Sequence, residues 1–224
     1  MKLLVLSDPE FIPDEAELIN SLFREGLVCL HIRKPASSPK WLKELLLKIE
    51  TDFIDRIAMH QHHHLAHEFG IKRLHFTEKD RKLASPENLE NLKSEGYLLS
   101  TSIHELAEIS KLSKVFSYTF FGPVFDSISK TGYKSALRAD FFLRAETKKI
   151  PIIALGGIDI TNLEKVKTMN FDGAAVLGTL WKDPKSVPEK FIKLIESNNE
   201  QPQRGDISQP RVQPWEGIRT NHDR

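Results

Sequence analysis

The stretch that decides the fold is IPIIALGGIDITNLEKVKTMNFDGAAVLGTL, residues 150–180. It opens with a short apolar run, Ile150–Leu155, and breaks at the pair Gly156-Gly157. An amphipathic segment follows over Asn162–Met169, and a second apolar run closes the stretch at Gly173–Leu177. Short apolar run, helix-period segment, short apolar run is the pattern of one parallel βαβ unit. The runs are nearly continuous in apolar residues, as in strands buried on both faces.

Working outward, the same unit recurs. Six more apolar runs lie upstream, at Leu3–Leu6, Leu27–Ile32, Arg56–His60, Arg73–Phe76, Tyr97–Ser102 and Val115–Phe121. Amphipathic stretches separate or follow them at Glu15–Arg24, Trp41–Ile49, Leu65–Phe69, Pro86–Lys93, Glu105–Lys111, Ala139–Lys148 and Val187–Glu196. Gly26, Gly70 and Gly96 sit where helix ends release the chain into the next strand. Six units would leave an open doubly wound sheet. Eight close naturally, and the fold class expected is α/β, a single (β/α)₈ TIM barrel over residues 1–196 with short loops.

From Ser197 the composition changes to SNNEQPQRGDISQPRVQPWEGIRTNHDR. This segment is polar and rich in Pro and Gly, and it cannot bury enough surface to offset its ordering entropy. A disordered polar tail is expected over 197–224.

Bulk composition narrows the function. The 224 residues carry a formal charge of +1, so no basic field collects nucleic acid or a membrane surface. The apolar run of MKLLVLSDPE is too short for a signal peptide and reads as a first strand. No segment is long enough to span a bilayer. A lone cysteine, Cys29, excludes an intrachain disulfide and suits a cytoplasmic protein.

In a barrel the chemistry gathers at the C-terminal ends of the strands. The polar and glycine residues at those ends are His31 and Arg33, His60 and Gln61, His75 with Asp80 beyond it, Ser102 and His104, Gly122 and Lys130, Gly156 and Gly157, and Gly178. His31 and Arg33 are two apart and point the same way in extended chain. A guanidinium there forks onto phosphate oxygens; the alternative is an ion pair inside the barrel. Gly156, Gly157 and Gly178 follow the last two strands, the usual phosphate seat of barrels, where glycine lets backbone N–H groups approach an anion. The long segment FGPVFDSISKTGYKS, residues 121–135, has the composition of a loop closing over substrate, with Lys130 either on a diphosphate or an ordinary surface lysine. His62, His63 and His64 read as a helix start rather than metal ligands, because consecutive histidines do not converge on one ion. His60 instead ends a strand and should face the mouth. His104 is either an acid/base near neutral pH or a helix-terminal residue bonded to backbone.

These motifs in this order resemble the thiamine phosphate synthase/TenI family. The resemblance rests on CLHIRK (Cys29–Lys34), RLHFTEKD (Arg73–Asp80), STSIHELAE (Ser100–Glu108), FFGPVFDSISKTG (Phe120–Gly132), IPIIALGGI (Ile150–Ile158) and DGAAVLGTL (Asp172–Leu180). It implies small phosphorylated thiazole or pyrimidine ligands. For a synthase it implies Arg33 and Lys130 on a diphosphate, Mg²⁺ on Asp80, Ser102 on the ligand, and Gly157 and Gly178 at the thiazole phosphate. Synthases of the family usually carry Gln where this chain has His31, and Asn-Asp at His60-Gln61, so the second Mg²⁺ aspartate is missing. The second basic residue is also out of register, with Lys34 one place early and Pro35 following. The His-Ile-Arg strand end is similar to the TenI branch, whose thiazole tautomerase needs no metal and whose acid/base histidine matches His104. The resemblance therefore favours a tautomerase, with His104, Lys130 and Ser102 catalytic and His31, Arg33, His60, Gly156, Gly157 and Gly178 binding substrate. A Mg²⁺-dependent synthase is the alternative, and a non-catalytic binder of thiazole or thiamine phosphate a further one. Barrels of this type often form homodimers, though no patch in the sequence assigns one.

Overall fold

The computed structural model describes residues 1–126, 135, 137, 138 and 140–199. Eight parallel strands close in sequence order into a barrel, with the first strand paired to the last. They are β1 (Lys2–Leu6), β2 (Leu30–Ile32), β3 (Ile57–Met59), β4 (Arg73–Phe76), β5 (Leu98–Ile103), β6 (Phe116–Phe121), β7 (Ile152–Leu155) and β8 (Gly173–Val176). Around them lie α1 (Glu15–Arg24), α2 (Pro39–Leu46), α3 (His63–Glu68), α4 (Glu78–Leu83), α5 (Pro86–Ser94), α6 (Leu163–Thr168), α7 (Gly178–Trp181) and α8 (Val187–Asn199).

Strand alternation divides the core in two. Leu3, Val5, Leu30, Ile32, Ile57, Met59, Leu74 and Phe76 face outward and pack under the helices. Leu4, Leu6, Ala58, Tyr118, Phe120, Ile153 and Ala175 face inward and fill the barrel. Between these inward apolar residues stand polar ones: His31, His60, Arg73, His75 and Ser100 are all buried. The barrel interior is thus apolar on one side and hydrogen-bonding on the other.

Local chemistry sets the helix starts. Ser38, Thr77 and Ser85 cap α2, α4 and α5, each accepting from a backbone N–H three residues on. Pro39 and Pro86 occupy first-turn positions where a missing N–H costs nothing. Trp181 of α7 donates its indole N–H to the Leu6 carbonyl at 2.6 Å, pinning the end of β1 beneath the short helix that follows β8.

Three expectations need correction. The amphipathic stretch Ala139–Lys148 is no α-helix; among its described residues only a 3₁₀ turn forms, at Ala145–Thr147. The backbone of Leu143 is spent elsewhere, its N–H on Met169 O at 2.9 Å and its carbonyl on Asn170 Nδ2 at 2.6 Å. Glu105–Lys111 is likewise 3₁₀, over Leu106–Lys111. At the C-terminus, α8 runs on to Asn199, past the expected boundary at Glu196. The remainder of the tail, 200–224, and Lys130 lie outside the described residues.

Candidate active site

A cavity of about 370 Å³ opens at the C-terminal ends of the strands. Its apolar wall comes from Leu6, Phe120, Leu155, Ala175 and Leu177. Its polar wall comes from Arg33, His60, His75, Ser102 and His104. Gly122, Pro123, Gly156, Gly157, Gly178 and Thr179 complete the rim. An apolar body with a few convergent polar groups is the build of a small-molecule site.

Arg33 follows β2 and is held by its backbone, its N–H donating to Ser7 Oγ at 3.0 Å. Among the described residues its guanidinium makes no ion pair, so the reading of Arg33 as half of an internal pair fails. The neighbouring Lys34 is the residue that is paired. Its ammonium, fully buried, donates to both carboxylate oxygens of Glu15 at 2.6 and 2.7 Å and to the Glu10 carbonyl at 2.6 Å. Burial pushes Glu15 up and Lys34 down, each opposed by the other's charge. Lys34 is therefore a strut under α1 and supplies no charge to the cavity.

The glycines after β7 have a reason beyond exposing amides. Gly156 and Gly157 have φ of +97° and +67°, a region that favours glycine. A Cβ on Gly157 would stand 2.4 Å from Asp126 O, and one on Gly156 2.9 Å from Pro123 Cα. The pair packs against the chain leaving β6 and lines the cavity at once. Beside it, α7 begins at Gly178, so the ends of β7 and β8 with a short extra helix form the arrangement barrels use for phosphate.

His104 lies on the cavity rim with Nδ1 2.7 Å from the Gly122 carbonyl. A carbonyl only accepts, so Nδ1 is the donor in this contact. Gln61 is not available to a ligand, because its side-chain oxygen accepts the Lys34 N–H at 2.9 Å. Asp80 is exposed at the start of α4, its carboxylate accepting from the Thr77 hydroxyl at 2.6 Å; Thr77 and Glu78 line the cavity, whereas Asp80 stands just outside it.

His31 does not line the cavity. It lies fully buried beneath it, with Nδ1 3.0 Å from His60 Nε2 and Nε2 2.6 Å from the Tyr118 hydroxyl. His75 bonds Ser100 Oγ through Nδ1 and Ser102 Oγ through Nε2, both at 2.9 Å. Burial holds His31 and His60 well below the ordinary histidine range and His75 down to about 3, so all three rings are neutral at pH 7. His62 and His63 do start a helix, their rings turned onto the Ser37, Met59 and His75 carbonyls. The sequence reading missed Tyr118, Ser100 and Thr77. The i, i+2 spacing of Ser100 with Ser102 and of Tyr118 with Phe120 was the available signal, since alternate strand residues share the interior.

The comparisons with known proteins agree with this geometry. Residues 3–180 match the family model described as thiamine monophosphate synthase. The thiamine-phosphate synthase of Proteus mirabilis is 24% identical over 196 residues, covering 83% of this chain and 88% of that one. That of Anoxybacillus flavithermus is 31% identical over 111 residues, a match spanning only about half of each chain (48% and 51%). The crystal structure of thiamine phosphate pyrophosphorylase from Bacteroides thetaiotaomicron superposes with a TM-score of 0.68 at 30% identity, covering 89% of this chain and 98% of that one. With a closed barrel, a cavity at its C-terminal mouth and a family match over nearly its whole described length, the chain belongs to the thiamine monophosphate synthase family of thiamine-biosynthesis enzymes.

Proposed function

We propose that this protein is a thiamine-phosphate synthase, joining a pyrimidine diphosphate to a thiazole phosphate with release of pyrophosphate. The observation that carries the reading is one cavity bearing two anion-binding features on different strands: Arg33 after β2, whose guanidinium makes no ion pair among the described residues, and the glycine-lined ends of β7 and β8. Two phosphorylated substrates meeting over an apolar floor need such a cavity. Relatives named thiamine-phosphate synthase support it over the tautomerase that the residues first suggested.

In this reading Arg33 forks onto the diphosphate of the pyrimidine substrate, and the amides around Gly157 and Gly178 hold the thiazole phosphate. Leu6, Phe120 and Leu155 exclude water from the joining rings. Ser102, fixed by His75, orients the heterocycle. Lys130, which lies outside the described residues, is proposed to neutralise charge on the diphosphate. Magnesium binds through one or two carboxylates together with substrate phosphates, and this chain offers Asp80 at the mouth while Gln61 is spent on backbone. Asp80 would hold the ion, which when bound would neutralise charge on the diphosphate.

A tautomerase remains the second reading, favoured by the His104 geometry, which ties Nδ1 to the Gly122 carbonyl and leaves Nε2 free of that contact at the cavity rim. The two readings separate in one assay. A synthase releases pyrophosphate from the two substrates in Mg²⁺, and Asp80→Ala abolishes the release. A tautomerase aromatises the thiazole carboxylate phosphate in EDTA and loses that activity in His104→Ala. If neither product forms while thiamine phosphate still raises the Tm, both readings fall in favour of a binder.

A further inference from the structure

We propose that the buried histidines form a closed relay of hydrogen bonds that begins and ends on the cavity and moves a proton between two atoms of a bound prototropic heterocycle. The proposal rests on the reading of the cavity as the seat of such a ligand, and it names the ligand class more closely: a ring presenting an N–C=N edge, as an aminopyrimidine does.

The first end of the relay is His60. Its Nδ1 is buried and has no partner among the described residues, although His60 lines the cavity. A buried imidazole nitrogen left unpaired is costly, and a ligand in the cavity is what would relieve it. From His60 Nε2 the chain runs 3.0 Å to His31 Nδ1, then from His31 Nε2 2.6 Å to the Tyr118 hydroxyl. Tyr118 and Ser100 are directly paired positions on β6 and β5, which sets the phenol beside the Ser100 hydroxyl and makes this contact the middle link. Ser100 Oγ is 2.9 Å from His75 Nδ1, and His75 Nε2 is 2.9 Å from Ser102 Oγ. Ser102 lines the same cavity and is the second end. Cys29, also hydrogen-bonded to Tyr118, is a side branch that goes no further.

Every member can donate one proton and accept one, so two arrangements carry every link of the chain in a single direction, with the Leu74 carbonyl at 3.5 Å as an alternative acceptor for the Ser100 hydroxyl. In the first, all three rings carry their proton on Nε2, and Ser102 offers its hydroxyl to the ligand while His60 Nδ1 accepts. In the second, all three carry it on Nδ1, and the directions reverse. Passage from one to the other is balanced. The ligand gives a proton to His60 Nδ1; His60 gives its Nε2 proton to His31, His31 to Tyr118, Tyr118 to Ser100, Ser100 to His75 and His75 to Ser102. Ser102 returns a proton to a second ligand atom. No residue gains or loses charge, which is what permits such a chain where burial forbids an imidazolium or a phenolate.

The same three rings have nitrogens within 4.8 Å of one another, a spacing that would also admit a metal ion. The relay accounts for the geometry better. The His60 and His75 rings are stacked at 3.9 Å and 19°, so their in-plane lone pairs run side by side instead of converging. Five of the six ring nitrogens already have partners. No carboxylate joins the cluster, and Arg33 and Arg73 add positive charge near it.

The test is ring-nitrogen NMR of protein labelled with ¹⁵N-histidine, free and with thiamine phosphate, which carries the required aminopyrimidine. The expected result is that His31, His60 and His75 are neutral and share one tautomer in each sample. In Tyr118→Phe the tautomer of His75 no longer follows that of His31 and His60; Ser100→Ala gives the same uncoupling by a second route. His75 in the opposite tautomer to His31 in the native protein overturns the proposal, as does an unchanged pattern in both variants. One equivalent of Zn²⁺ bound by the three rings also overturns it, making the cluster a metal centre. Shared tautomers without thiamine phosphate binding by calorimetry support the relay and overturn the ligand reading alone.

Discussion

At the scale of the residue, position along the strand separates groups that sequence alone makes equivalent. His31 and Arg33 point the same way, yet one is sealed beneath the cavity and the other lines it, because each pair of residues along a strand climbs one layer of the barrel. Arg33 was legible as a residue of the barrel mouth because it interrupts an apolar strand. The burial of His31 was not, since it depends on Tyr118 and His60 arriving from other strands. Removing a charge-assisted contact costs about 1.5–3 kcal/mol, so Arg33→Ala should weaken pyrophosphate binding roughly 10- to 100-fold by calorimetric titration. Equal affinity in the variant would remove Arg33 from the site. Gly157→Ala forces a side chain into positive φ and into Asp126 O. Strain and overpacking together should cost roughly 2–4 kcal/mol in urea denaturation, and an unchanged midpoint would contradict the packing described.

At the scale of the element, strands and most helices could be read because their apolar periodicity reports burial. Of the two helices that could not be read, α7 is a single turn, and α4 has no buried residue and so leaves no periodic signal; only its cap, Thr77, marks it. The false helix at Ala139–Lys148 has the reverse cause, a plausible pattern overruled by the contacts that draw Leu143 toward Met169 and Asn170. Lys34 shows how an element borrows a charged residue for support. A buried ion pair broken on one side costs about 3–5 kcal/mol, whereas replacing both partners by apolar residues is nearly neutral. Lys34→Met should therefore destabilise the fold by that amount and Lys34→Met/Glu15→Leu should recover most of it, as measured by thermal denaturation. Failure of the double variant to recover would show that the pair holds α1 in a way volume cannot replace.

At the scale of the whole molecule, a barrel that keeps neutral histidines inside is coupled to pH. In the unfolded chain these rings take up protons near pH 6.5, and in the folded chain burial prevents it. Stability contributed this way is complete above pH 6.5 and is lost as pH falls toward the depressed folded values. The slope is about 1.4 kcal/mol per pH unit for each ring. Urea midpoints should fall steeply between pH 6.5 and 4.5 and less steeply in His31→Gln; equal slopes in the two proteins would contradict the burial of His31. Closure of eight units was legible from the repeat, and the glycine-lined rim of the cavity from where the glycines fall in it. The central claim, that one cavity at the strand ends seats a phosphorylated heterocycle, is tested most directly by a crystal structure with thiamine phosphate. The account predicts the phosphate on the amides around Gly157 and Gly178 and the aminopyrimidine edge against Ser102 and His60. A ligand bound elsewhere on the barrel, with this cavity filled by water, would contradict it.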